Sequence, residues 1–345
     1  MTTVNALFLE SHGGLEVLKY GEMPIPQPKK GEVLVHVQAC GLNHLDIWIR
    51  QGLPGISLPL PHIIGSEVVG TVAQGGSESS RFKPGDQVLV APGISCGQCP
   101  ACLKGRDSQC REFKIIGLQI NGGYAEFVAV PEKNLIPLPP TLSPQQWAAV
   151  PLVFMTAWHM LVTRGGLQKG ETVLIHAAGS GVGSAAIQIA KMRGATVFTT
   201  VGSDEKIKKA QLLGADLVIN YKKADFAQEI LRATNNQGVD LVLEHIGPDT
   251  WAGSMRCLSR GGRLVTCGST SGPKVELDLR FFFTKELSVV GCYMGSRQEL
   301  DQVLRLVAEG KLKPVVDTVF PLADAAKAQA TMESRELYGN LVLKI

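Results

Sequence analysis

The 345-residue sequence predicts an α/β chain of two domains. One, residues 1–152 and 295–345, is mostly β; the other, residues 153–294, is a doubly wound parallel sheet. Three observations carry this. The texture changes at residues 139–151: before them, short β-like runs such as 33–37 and 68–72 alternate with glycine and proline and show no long helical period. After them, apolar runs at 172–176, 196–201, 217–219, 241–244, 262–267 and 287–291 alternate with helical patterns, and strands buried on both faces of a parallel sheet read as such continuous runs. The 45% hydrophobic share, 19% charged share and 38 glycines suit a sheet joined by tight turns and stand far from disordered compositions.

The length allows each domain its own core without disulfide staples. Helical patterning is read at 144–163 and 182–192. A helix at 297–309 is closed by Gly310, and a strand at 339–345 is expected to return to the first domain. No internal repeat or low-complexity segment interrupts this order. The net charge of +3, from 34 basic and 31 acidic residues scattered along the chain, speaks against nucleic acid or an anionic membrane as partner. A small, largely apolar or phosphorylated ligand is expected. Residues 1–21 lack the basic start and apolar run of a secretory signal, and no apolar stretch reaches spanning length, so the cytoplasm is the expected compartment.

At 173–184 the sequence Val-Leu-Ile-His-Ala-Ala-Gly-Ser-Gly-Val-Gly-Ser passes from strand through a glycine turn into a helix. Glycines admit a pyrophosphate to the backbone, and free N–H groups at the helix start meet its charge. Gly179, Ser180, Gly181, Val182 and Gly183 are therefore candidate dinucleotide contacts, although Ala178 and Ser180 stand where a strict G-x-G-x-x-G has glycine. The next strand ends at Gly202, where an NAD site wants an acid for the ribose hydroxyls. Without that acid, Lys206 and Ser203 suit a 2′-phosphate and Tyr221 can flank the adenine. NADP(H) is favoured, and Asp204 and Glu205 keep NAD open. Gly268, after the 262–267 run, completes the cofactor candidates.

Four of the eight cysteines, Cys96, Cys99, Cys102 and Cys110, crowd one glycine- and proline-rich loop, whereas Cys40, Cys257, Cys267 and Cys292 are isolated. A closed set of four thiolates makes a structural zinc, one per chain, whose binding folds its loop (about residues 92–113) and leaves no position for chemistry. Two disulfides, an iron–sulfur cluster or free thiols are the alternatives.

The order of β domain, cysteine lobe, glycine turn and α/β domain resembles the zinc-containing medium-chain alcohol dehydrogenases over nearly the whole chain. So do the motifs Gly65-Ser66-Glu67-Val68-Val69-Gly70, Gly85-Asp86-Gln87-Val88, Gly122-Gly123-Tyr124-Ala125-Glu126 and Gly339-Asn340-Leu341-Val342. The resemblance implies a GroES-like catalytic domain and a Rossmann cofactor domain. It also implies a catalytic zinc held by Cys, His and Cys, but Asn43, Ser66 and Leu152 occupy those positions here, so no catalytic metal is expected. The segment from Asn43 to Arg50 is similar instead to the zinc-free quinone oxidoreductases and enoyl reductases of the same superfamily, which use NADPH. Those lack the cysteine lobe, and Trp48 stands where their quinone reductases commonly have tyrosine.

Without a metal, hydrogen-bond donors must stabilise the charge that hydride transfer places on the acceptor. A quinone or enone, whose developing charge is spread, suits such a site. The candidate donors are Asn43 and His44, with Ser66 behind them and Thr156 placed near the nicotinamide by the resemblance. Asn43 could equally hydrogen-bond its own turn. His62, His159, His176 and His245 receive no role, and Trp48, Phe154 and Met155 are either pocket lining or core. Two other readings stay open: an alcohol dehydrogenase recruiting a metal through His44, His62 or Glu67, and a non-enzymatic dinucleotide-binding protein. A homodimer through the 287–291 edge strand, or a homotetramer, is implied by the resemblance.

Overall fold

A computed structural model describes residues 3–75 and 81–345; Met1 and Thr2, where the first domain is expected to begin, lie outside the described residues, as do 76–80. The chain divides into two compact units. One comprises Met1–Leu152, Ser296–Ala308 and Pro314–Ile345, the other Val153–Gly295 and Glu309–Lys313.

The second unit is built on six parallel strands: β1 (Thr172–Ile175), β2 (Thr196–Val201), β3 (Leu217–Asn220), β4 (Val239–Glu244), β5 (Leu258–Thr266) and β6 (Ser288–Gly291). They lie in the order β3-β2-β1-β4-β5-β6. The chain thus winds outward from β1 in both directions, which leaves a switch point beside β1 where ligands bind in open α/β sheets. Helices α1 (Gly181–Met192), α2 (Glu205–Leu212), α3 (Phe226–Ala233) and α4 (Pro248–Cys257) connect the strands. The apolar runs are continuous because Val173, Leu174, Val242 and Leu264 are all fully buried. Strand β5 begins four residues before the expected 262. Its pairing with β4 shifts register between Val239 and Leu241, and the extra residues include Gly261 at φ 73°. A glycine-containing bulge reads as a turn in sequence.

In the first unit the long strand Glu32–Gly41 organises the sheet. Glu67–Gln74 pairs along one edge. Phe127–Pro131 and Asn340–Lys344 divide the other, pairing with residues 32–36 and 39–41. The C-terminal strand therefore lies in the first unit's sheet, antiparallel to Glu32–Gly41. Gln87–Val90, Leu135–Pro137 and Val316–Pro321 extend the sheet, while Thr3–Leu9, Leu18–Pro24 and His62–Ile63 form a second one.

The helix His44–Gln51 was not visible as a period in sequence. It is two turns long and buries Asp46 and Arg50 together with Ile47 and Ile49, so charged residues stand where a buried apolar stripe is expected. Residues 144–163 are not one helix. Pro144–Trp147, capped by Ser143, stops before Pro151, whose ring leaves no N–H to continue it; Pro151–Trp158 then begins anew and passes into a π-turn, His159–Arg164. No helix among the described residues is long and apolar enough to cross a membrane.

Candidate functional site

In the second unit the turn after β1 is shaped by close backbone packing. Ala177 adopts a left-handed φ of 51°, and its carbonyl accepts from Ser180 N–H at 2.9 Å. A Cβ on Gly183 would lie 2.2 Å from that carbonyl oxygen, so only glycine fits. Ser180 caps α1, its Oγ accepting from Gly183 N–H at 2.9 Å. The N–H groups of Gly181 and Val182, in the first turn of α1, have no carbonyl one turn back to bond. With Gly179 they lie at the positive end of the helix dipole, an arrangement that could hold an anion.

At the tip of β2, a Cβ on Gly202 would lie 2.8 Å from the Tyr221 hydroxyl, so the tyrosine occupies space that an acidic side chain there would need. Asp204 is engaged within the chain: Asn220 Nδ2 donates to its Oδ1 at 2.7 Å and Lys223 Nζ to its Oδ2. Lys223, and then Asn220, hold its carboxyl below the usual range. Lys206 is half-buried, its N–H bonded to Ser203 O at 3.3 Å. Gly268 lies two residues beyond β5, where a Cβ would come within 2.9 Å of His245 O. Thr156 is buried and its hydroxyl has no partner, while Phe154 and Met155 are core.

Sequence reasoning missed a buried chain beneath this turn. His176, given no role above, bonds Thr200 Oγ1 at 3.2 Å through Nδ1 and Ser254 Oγ at 2.8 Å through Nε2; Ser254 in turn donates to Glu244 Oε2 at 2.9 Å. His245 Nε2 bonds His176 O at 3.1 Å. No pattern flags these groups, because their partners lie 24 to 78 residues away.

In the first unit, two of the three metal-ligand positions expected from the resemblance, Asn43 and Leu152, donate to Glu67. Its fully buried carboxylate accepts from Asn43 Nδ2 at 2.9 Å, from Leu152 N–H at 2.7 Å and from Asn340 Nδ2 at 2.9 Å. A Cβ on Gly41 would fall 2.4 Å from Glu67 Oε2, so the strand's last glycine makes room for it. Asn43 also begins the His44–Gln51 helix, its N–H donating to Asp46 Oδ2 at 2.8 Å, and Tyr124 OH donates to the same oxygen at 3.0 Å. Ser66 is fully buried with its hydroxyl unpartnered. His44 packs edge-on against Trp48, with ring centroids 5.9 Å apart. His62 is taken up by Gly117 O at 3.0 Å.

Burial raises the Asp46 carboxyl to about 6 despite the donors from Asn43 and Tyr124. The folded chain therefore holds a proton that the unfolded chain releases between pH 3.8 and about 6, and wild-type stability falls as pH rises through that window. Asp46→Asn, which keeps an acceptor for both donors, removes this dependence. Its stability relative to wild type should climb between pH 4 and 6 and level off above, by roughly 3 kcal/mol for about two pKa units. Denaturant unfolding at pH 4, 5, 6 and 7 measures this, and a difference independent of pH would count against a carboxyl titrating in that window.

The cysteine lobe also lies in the first unit. Gly93–Ile94 and Lys114–Ile115 pair at its base, and Arg297 N–H donates to Asp107 Oδ2 at 2.8 Å, tying its far side to the helix Arg297–Ala308. Cys96, Cys99, Cys102 and Cys110 place all four sulfurs within 4.8 Å of one another, with Cys99–Cys102 at 3.5 Å and Cys96–Cys102 at 3.9 Å. Four sulfurs about 2.3 Å from a tetrahedral zinc stand about 3.8 Å apart, so the set fits the metal. All eight cysteines are free thiols, so the disulfide alternative has no pair to rest on. The Gln98 N–H, and then that of Cys99, pull the Cys96 thiol down to about 7, which favours the thiolate that a metal needs.

With this geometry in hand, known proteins supply context. A family model described as "Zinc-binding dehydrogenase" matches residues 181–309, and one described as "Alcohol dehydrogenase GroES-like domain" matches residues 29–140. The chain is 33% identical to a quinone oxidoreductase of Mus musculus, over 94% of this chain and 92% of that one. A solved NAD-dependent alcohol dehydrogenase superposes with a TM-score of 0.95 at 43% identity, over 99% of each chain. A 2-octenoyl-CoA carboxylase reductase, solved with NADP and 2-octenoyl-CoA, superposes with a TM-score of 0.90 at 30% identity, over 99% of this chain and 87% of that one. The strand–turn–helix of the second unit, the GroES-like sheet of the first and these full-length likenesses place the chain in the medium-chain dehydrogenase/reductase superfamily, as an NAD(P)-dependent oxidoreductase.

Proposed function

We propose that the chain reduces a quinone, an enone or another activated double bond by hydride transfer from NADPH. In this reading one structural zinc sits at Cys96, Cys99, Cys102 and Cys110 and there is no catalytic zinc. The Glu67 carboxylate carries the reading: the residues at the three metal-ligand positions include an amide whose nitrogen is turned to Glu67 and a leucine that offers it only a main-chain N–H. Neither an amide nitrogen nor an aliphatic side chain holds zinc.

Bound at the Gly179–Gly183 turn, the nicotinamide cofactor supplies the hydride; the chain's own work is to orient and to donate hydrogen bonds. In the first unit the second hydrogen of Asn43 Nδ2, His44 and Ser66 are the proposed donors to the substrate; in the second unit Thr156 is the group proposed to position the nicotinamide. A spread charge such as an enolate needs only a few of them. Both the quinone oxidoreductase and the enoyl-thioester-bound reductase among the relatives act in accord with this substrate class. For the cofactor, Gly202 under Tyr221 and the engagement of Asp204 with Asn220 and Lys223 support NADPH, with Ser203 and Lys206 the groups proposed to meet its 2′-phosphate. Among the described residues strand β6 has only β5 as neighbour, and the exposed Val289 on it supports pairing in a homodimer, with a homotetramer as the larger alternative. Free thiols throughout support a reducing compartment, the cytoplasm.

One panel tests the reading: bound zinc, affinities for NADPH and NADH, and turnover of 1,2-naphthoquinone, an enone and a primary alcohol. About one zinc per chain and turnover of the first two acceptors are expected. Lys206→Ala should weaken NADPH about tenfold and leave NADH within about twofold, as one charge-assisted contact implies. About two zincs per chain with alcohol oxidation would establish the alcohol dehydrogenase reading instead. Cofactor binding without turnover of any acceptor would point to a non-enzymatic role.

A further inference from the structure

The buried chain below the glycine turn has one permissible direction at every link. Glu244 is ionised and can only accept, so the Ser254 hydroxyl spends its hydrogen on it, and Ser254 Oγ must accept from His176 Nε2–H. Burial pushes His176 down to about 4 and so holds it neutral near pH 7; with Nε2–H donating to Ser254, its Nδ1 is the acceptor and takes the Thr200 hydroxyl hydrogen. Thr200 Oγ1 is thereby left to accept from Ala177 N–H, at 3.1 Å. On the other side, His245 Nε2–H donates to His176 O. Glu244 also ties down the backbone that follows His245, since its Oε1 accepts from Ile246 N–H at 2.7 Å and Gly247 N–H at 3.2 Å.

His176 O and Ala177 N–H belong to one peptide plane. That plane is clamped at both ends, by His245 and by Thr200, and both clamps return to Glu244. The rotation that follows it is the φ of Ala177, which at 51° lies in the left-handed region that disfavours a non-glycine residue. Backbone strain of this kind persists where surrounding contacts over-determine it, and it gathers at ligand clamps. Ala177 in turn sets the turn, through its carbonyl bond to Ser180 N–H and its packing on Gly183.

We propose that His176 is a positioning residue of the dinucleotide site. Through Thr200 on one side and Ser254–Glu244 on the other, it orients the His176–Ala177 peptide and so aims the turn's N–H groups at the cofactor pyrophosphate. The proposal rests on the reading that the Gly179–Gly183 turn receives that pyrophosphate.

The test compares ADP-ribose, which carries a pyrophosphate, with adenosine, which does not, by calorimetry on the full chain. His176→Phe keeps a ring against Phe226, the present edge-on neighbour at 5.0 Å, and removes both ring nitrogens. Thr200→Val breaks two links, those of Oγ1 to His176 Nδ1 and to Ala177 N–H, with little change of shape, and serves if His176→Phe folds poorly. Each removes two hydrogen bonds of the chain and should raise the Kd for ADP-ribose and NADPH about tenfold, with adenosine affinity held within about twofold. His176→Gln, which retains one donor and one acceptor, should recover part of the loss. Unchanged ADP-ribose affinity in both variants, or equal losses for ADP-ribose and adenosine, would overturn the positioning role. Gly183→Ala separates this from the parent reading. If Gly183→Ala binds ADP-ribose as wild type does, the turn is not the pyrophosphate site and the proposal falls with it. If Gly183→Ala loses binding while His176→Phe keeps it, the site stands and the role of His176 alone is refuted.

Discussion

Cys99→Ser should leave the chain without zinc and its lobe without a fold. The lobe has little else to hold it: Pro100–Leu103 is a single helical turn and Leu103 is largely exposed, so few apolar groups between residues 96 and 110 are buried. Structural zinc supplies on the order of 10 kcal/mol to short four-ligand segments, more than the stability of many whole domains. With one thiolate gone, bound metal measured by mass spectrometry should fall from about one per chain to below roughly a tenth. Trypsin should then cut faster at the exposed Lys104 and Arg106, since an unfolded loop fits a protease cleft as a compact zinc-bound one would not. Dinucleotide affinity, a property of the second unit, should persist at low temperature. Retention of a full zinc by Cys99→Ser would remove the four-cysteine assignment.

Gly183→Ala should abolish useful cofactor binding. The new Cβ would lie 2.2 Å from Ala177 O and 2.9 Å from Ala177 C, both main-chain atoms that cannot swing aside as a flexible side chain could. Relief must come from opening the turn. Overpacking of this kind costs about 1–3 kcal/mol. Opening also turns the N–H groups away from the pyrophosphate, so a loss of about 100-fold in NADPH affinity, near 2.7 kcal/mol, is expected. Gly21→Ala is the control: its Cβ would meet nothing nearer than Phe8 at 3.7 Å, and NADPH affinity should match wild type. Equal affinities for Gly183→Ala and Gly21→Ala would show that the turn does not approach the cofactor.

These two substitutions act where the sequence was easiest to read. The turn at Gly183 is announced by an apolar strand, glycines and a helical period in unbroken succession, and the zinc lobe by four cysteines within 15 residues. The helix at His44–Gln51 was hidden because its buried residues include a carboxylate and a guanidinium, and the start of β5 because Gly261 sits in a bulge. His176 and His245 gave no signal. A histidine after a buried strand reads the same whether it is inert or holds a peptide plane.

By itself, then, the sequence determined the two-domain order, the parallel strands, the glycine turn and the cysteine cluster. Each of these is written in periods and spacings that span a few residues, the range over which backbone geometry constrains side chains. Only the tertiary structure decided what replaces the missing metal ligands. Glu67 draws its donors from residues 24, 85 and 273 positions away, and a buried carboxylate is stable only where such donors converge in space. No local rule of spacing reaches that far along the chain, so the polar centre of each unit became visible only once the sheets had brought its parts together.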